Sequence, residues 1–118
     1  MLASYGVTKL VSSTSTRCVA TVLPYAHENE LTLETHSLLS EEEGQDDPKA
    51  VGILMRKIRA AILESGEPTA VCVHRPVLPH ILDALDIAST SLVTAEFLVA
   101  HLTADGTVHA LERHRPLA

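Results

Sequence analysis

Two segments of this chain repeat one pattern, in which an apolar run breaks into small polar residues and then into helix-forming sequence. The first is Val11-Ser12-Ser13-Thr14-Ser15-Thr16-Arg17-Cys18-Val19-Ala20-Thr21 and the second Ala70-Val71-Cys72-Val73-His74-Arg75-Pro76-Val77-Leu78-Pro79. Each reads as a strand running into a helix, with a side chain able to meet an anion, Arg17 or His74, at the junction. If the two strands are parallel neighbours, both side chains emerge at one carboxyl edge, where open α/β sheets bind ligands. The pattern points to an α/β fold with an anion site at that edge.

The rest of the chain keeps the alternation. Leu2 to Gly6 reads as the end of a helix closed by glycine, and Thr8 to Ser12 as a buried strand. Ser15 or Thr16 caps a helix reaching about Asn29, with Val19, Val22, Leu23 and Ala26 on one face. Leu31 to Thr35 alternates like a strand, and Ser40 to Asp47 reads as a polar loop. Pro48 suits the first turn of a helix in which Val51, Leu54, Met55, Ile58, Ile62 and Leu63 recur at helical spacing as far as Ser65-Gly66. Thr69 to Val73 has the continuous apolar character of a central strand covered on both faces, and Leu78 to Leu85 is helical. Ala95 to His114 reads as a hairpin turning at Thr103-Ala104-Asp105-Gly106-Thr107. The expected fold is one three-layer α/β/α domain over residues 1–118, its sheet mostly parallel, with the C-terminal antiparallel hairpin as an edge.

Composition narrows the partners. A formal charge of -6 argues against a nucleic-acid backbone or an anionic membrane, both of which demand a basic face. With no Trp, one Phe and two Tyr, base-stacking platforms are not expected either. Cys18 and Cys72 are too few and too unpatterned for a disulfide framework or a thiolate zinc site, and read as buried thiols in a reducing cytosol. No apolar run approaches the roughly 20 residues of a membrane span, and the N-terminus lacks a signal-peptide pattern, so the expected location is cytoplasmic. No cofactor motif occurs: there is no phosphate loop, no Gly-x-Gly-x-x-Gly and no Gly-x-Ser-x-Gly elbow. His101 and His109 lie on facing hairpin strands, but two imidazoles without a carboxylate or thiolate at suitable spacing do not make a zinc site, and no metal is expected.

Taken together, Ser12-Ser13-x-x-x-Arg17-x-x-x-Thr21 after a strand, Leu39-Ser40-Glu41 further on and Val71-Cys72-Val73-His74 before a helix resemble the histidine phosphatase, or phosphoglycerate-mutase-like, superfamily. The closing hairpin, Glu96-Phe97-Leu98-Val99 to Glu112-Arg113-His114-Arg115-Pro116, looks most like the C-terminal phosphatase domain of actinobacterial MutT-type proteins, in which a Nudix domain precedes it. The likeness covers nearly the whole chain. It implies a pocket in which two histidines and two arginines surround a phosphoryl group, one histidine being the nucleophile. By position the resemblance makes Arg17 the second pocket arginine, with Ser13 beside it on the phosphate, His74 the second histidine, and Glu41 the proton donor to the leaving group.

The chain also departs from that family. Its nucleophile sits in an Arg-His-Gly motif at the end of the first strand, and no such motif occurs here; Arg113-His114 is followed by Arg115 and falls after the last strand. The resemblance therefore implies a truncated, N-terminally incomplete domain lacking the first strand, the nucleophile and the first pocket arginine. Arg75 stands where a small residue or Asn is common, and the Nudix box is missing. Covalent phosphoryl transfer needs an imidazole in line with the leaving oxygen while cationic donors hold the equatorial oxygens. Arg17 and His74 supply part of the second task only. The expected function is phosphate binding, toward a phosphorylated small molecule or a phosphohistidine protein. It would serve either as part of a phosphohydrolase acting on phosphomonoester, phosphohistidine or nucleotide phosphate, or as a catalytically inactive phosphate-binding or interaction module.

Plainer readings stand beside each residue. Glu41, Glu42 and Glu43 suit a solvated acidic stretch ahead of a helix N-terminus, Arg17 a surface position in a first turn, and the serines a turn. His74 at the end of an apolar strand is costly to bury without a partner, which favours a pocket position. Loss of a central first strand leaves backbone groups to be paired. Either the strands ending at Ser12 and His74 pair directly, or two chains associate, and a homodimer is expected on this ground.

Overall fold

A computed structural model describes residues 5–88 and 97–114. Expectations for Leu2 to Ser4, for Ala95 and Glu96, and for Arg115-Pro116 lie outside the described residues. Gly6 has a φ of 63°, the left-handed geometry that suits glycine at a helix end.

The first strand, β1 (Lys9–Ser13), is buried from Leu10 onward and runs parallel between β2 (Leu33–His36) and β3 (Thr69–Cys72). Register sets Ser12 opposite Thr35 on one side and Cys72 on the other. Of the two expected routes to a closed sheet, direct pairing is the one observed. It satisfies the inner backbone groups, so the missing-strand ground for a homodimer falls away. The expectation of a central, doubly covered strand belongs to β1 and not to Thr69–Cys72, which is an edge strand with every residue only half-buried. A short apolar run is the same in sequence whether one neighbour pairs with it or two.

Ser15 caps α1 (Thr16–Glu28), its side chain accepting from Cys18 N at 3.3 Å. The buried face of α1 is Cys18, Val22 and Ala26, an i, i+4, i+8 stripe. Leu23 is exposed and Val19 half-buried, so the inward face is turned toward Cys18 relative to the expected one. The segment read as a polar loop is instead a helix, α2 (Glu41–Asp46), after a 3-10 turn at Ser37–Leu39. Ser40 caps it, accepting from Glu43 N at 3.3 Å, and three carboxylates in its first turn face the favourable end of the dipole.

Asp47 caps α3 (Pro48–Ser65) through Ala50 N, and Gly66 closes it with a φ of 70° and an N–H to Ile62 O. After α4 (Leu78–Ala84) the chain ends its described course in β4 (Phe97–Leu102) and β5 (Val108–His114), an antiparallel pair. This ribbon forms a sheet of its own and is not hydrogen-bonded as an edge of the parallel sheet. It packs through Leu98, Ala100 and Val108 on the larger core cluster.

Side-chain alternation along β1 divides the core. Val11 joins Leu39, Val51, Met55, Ile58, Val77 and Ile81 in that larger cluster, whereas Leu10 joins Val7, Ala26 and Tyr25 in a smaller one. Among the described residues no helix is long and apolar enough to cross a membrane.

Candidate functional site

Because β1 and β3 pair directly and in parallel, their carboxyl ends deliver two chain segments to one place. Ser13 ends β1, and its Oγ lies 3.1 Å from His74 Nε2, two residues beyond β3. The Ser13 hydroxyl donates to Ser15 Oγ at 3.2 Å and accepts from Ser15 N at 3.3 Å. Its remaining lone pair is thus left to accept from His74 Nε2–H, which assigns that tautomer to the imidazole. Ser12 and Ser13 are both fully buried, and Ser12 Oγ donates to Ser13 O at 2.9 Å. The hydroxyls expected to line an anion site are therefore engaged with their own loop and with His74.

Arg17 is the second residue of α1, one position before Cys18, in the first turn at the positive end of the helix. Its side chain is exposed and makes no ion pair or hydrogen bond among the described residues. Cys18, which the sequence reading left as a core thiol, lies with its Sγ 3.7 Å from His74 Nε2. Its signal was available: a residue three beyond the cap of α1 faces the sheet that helix covers.

Glu41 is the first residue of α2, exposed, and belongs to an acidic first turn. It makes no hydrogen bond to Ser13, Arg17 or His74. What brings α2 toward the edge is Gly44, where a Cβ would lie 2.6 Å from Val77 Cγ2 and 2.8 Å from Leu38 O. Absence of a side chain there lets the helix approach the segment that follows His74.

The Cys72 thiol is pushed up to about 12, chiefly by burial and then by its hydrogen bond with Cys18. Among the described residues no group of three or more His, Cys, Asp or Glu is arranged to hold a metal ion. The rings of His101 and His109 do approach across the hairpin, edge to face at 6.1 Å. A groove of about 400 Å³ between α3 and α4 is lined by Lys49, Gly52, Ile53, Arg56, His80 and Asp83 among others, and includes none of Ser13, Arg17, Glu41 or His74.

No family model matches this chain, and no curated protein matches it at a significant level.

Proposed function

We propose that the carboxyl edge of β1 and β3 is an oxyanion site for a phosphomonoester, carried by a three-layer α/β/α domain of phosphoglycerate-mutase-like type. The observation that carries this reading is the 3.1 Å contact between Ser13 and His74 at the foot of a helix whose second residue is Arg17. In that place the first-turn N–H groups of α1 and an arginine without an ion partner meet charge on an incoming phosphate, and His74 is held in a fixed orientation. The two core clusters, one on each side of β1, support the layered fold.

Binding without turnover is the function these residues suit. With Nε2–H given to Ser13, His74 presents a donor already in use, and Glu41 on α2 makes no hydrogen bond to the cluster. In-line attack on phosphorus would need a second imidazole. The ligand class is a phosphorylated small molecule, and a phosphohistidine protein offers the same anion. A cytoplasmic setting suits two free thiols.

Calorimetric titration with phosphate and tungstate tests the reading. The wild-type protein binds, Arg17→Ala weakens binding by about tenfold or more, a loss of about 1.4 kcal/mol, and p-nitrophenyl phosphate is not turned over. Unchanged tungstate affinity in Arg17→Ala overturns it.

A further inference from the structure

Two thiols lie at this end of the parallel sheet and take no part in holding an anion. Cys18, the third residue of α1, is buried with its sulfur 3.7 Å from His74 Nε2. Cys72 ends β3 half-buried, opposite Ser12 in register and, two residues beyond Ala70, on the sheet face that α1 covers. Far apart in sequence, the two cysteines are brought to one face of the sheet by the direct pairing of β1 and β3 and by α1 lying across that face. The Cys18 sulfur lies against the His74 ring edge in the first turn of α1, beside the positive end of that helix. Cys72, held as a thiol by burial, has the complementary place of a resolving partner.

We propose that Cys18 and Cys72 are an oxidation site, closing to a reversible intramolecular disulfide when the protein meets a hydroperoxide. The Cys18 thiolate attacks the terminal peroxide oxygen; an S–O bond forms, the O–O bond breaks, and the departing alkoxide or hydroxide takes up a proton. Cys72 sulfur then attacks Cys18 Sγ; the S–S bond forms, the S–O bond breaks, and the hydroxyl leaves as water with the Cys72 proton. Two thiols give up two electrons, and the hydroperoxide is reduced to alcohol, or water, plus water. The new bond joins the first turn of α1 to the end of β3 beside His74, and it stands whether or not the edge binds phosphate.

The full chain is treated with a modest excess of hydrogen peroxide, alkylated, digested and mapped by mass spectrometry. A single peptide pair joining Cys18 to Cys72 is expected, with both free thiols lost, monomer mobility on a non-reducing gel and full reversal by dithiothreitol. Cys72→Ser is expected to stop at a Cys18 sulfenic acid that dimedone traps. Wild-type protein that keeps both thiols, oxidises them separately or links them only between chains overturns the proposal, whether or not the variant folds.

Discussion

At the carboxyl edge of the parallel sheet, His74 is hydrogen-bonded to a fully buried serine, whereas on the hairpin His101 is hydrogen-bonded at 2.5 Å to an exposed Glu112. The first network is anchored on two serines out of contact with water, so each of those hydroxyls depends on its protein partner. The second is charged and wet. Glu112 also lies 3.8 Å from His114, whose Nε2 is 2.6 Å from the Tyr5 hydroxyl, yet solvent and salt stand ready to replace any of these contacts. One residue type thus does different work in two places: at the sheet edge it fixes geometry, and on the hairpin it adjusts charge.

Substitutions can break that contrast, and the largest effects belong to the sheet edge. Leu39, fully buried on the turn that follows β2, sits in the larger core cluster. Leu39→Ala is expected to lower stability by about 2–5 kcal/mol in urea unfolding. Next comes Gly44→Ala, where overpacking against Val77 and Leu38 O costs about 1–3 kcal/mol, more than the roughly 0.5–1 kcal/mol that alanine adds to helix propensity. A more stable Gly44→Ala protein would mean that α2 does not pack on the His74 segment as described.

Smaller effects belong to the hairpin and depend on pH. Asp105 accepts from Thr103 Oγ1 and from Thr107 N, and these bonds bring its carboxyl down to about 2 from 3.8. Since the folded form holds the proton less tightly than the unfolded one, this contribution is full above 3.8 and is lost as pH falls toward 2. Protection of the Gly106 and Thr107 amides, their exchange taken relative to the intrinsic rate at each pH, is expected to fall across that window in the wild type and to be low throughout in Asp105→Ala. Glu112 is likewise lowered, first by its hydrogen bond with His101. Smallest of all, Glu112→Gln is expected to leave Tm unchanged at moderate salt, while a clear drop would place that pair with the buried network.

The same contrast governs how much the sequence disclosed. Strong local chemistry was readable: Ser15 or Thr16 as a cap, Pro48 and Gly66 as the bounds of α3, Asp105-Gly106 as a turn, and the ends of β1 and β3 as neighbours, whereas the contact between Ser13 and His74 was not foreseen. Tertiary choices were not. Whether β3 is central or an edge depends on which strands arrive beside it, and the hairpin's separation from the parallel sheet depends on packing against α3 and α4. An acidic run such as Glu41-Glu42-Glu43 reads as loop until Ser40 is recognised as its cap. Cys18 was read simply as a buried thiol because the inward face of α1 was set at Val19 and Leu23, which left Cys18 and the imidazole beside it out of the site.

The most direct test of the oxyanion site is a crystal structure with tungstate, located by its anomalous signal. The expected result is one peak at the first turn of α1, within contact of the Arg17 guanidinium and beside His74. A peak confined to the groove of Lys49, Arg56 and His80, with the β1–β3 edge empty, would contradict it.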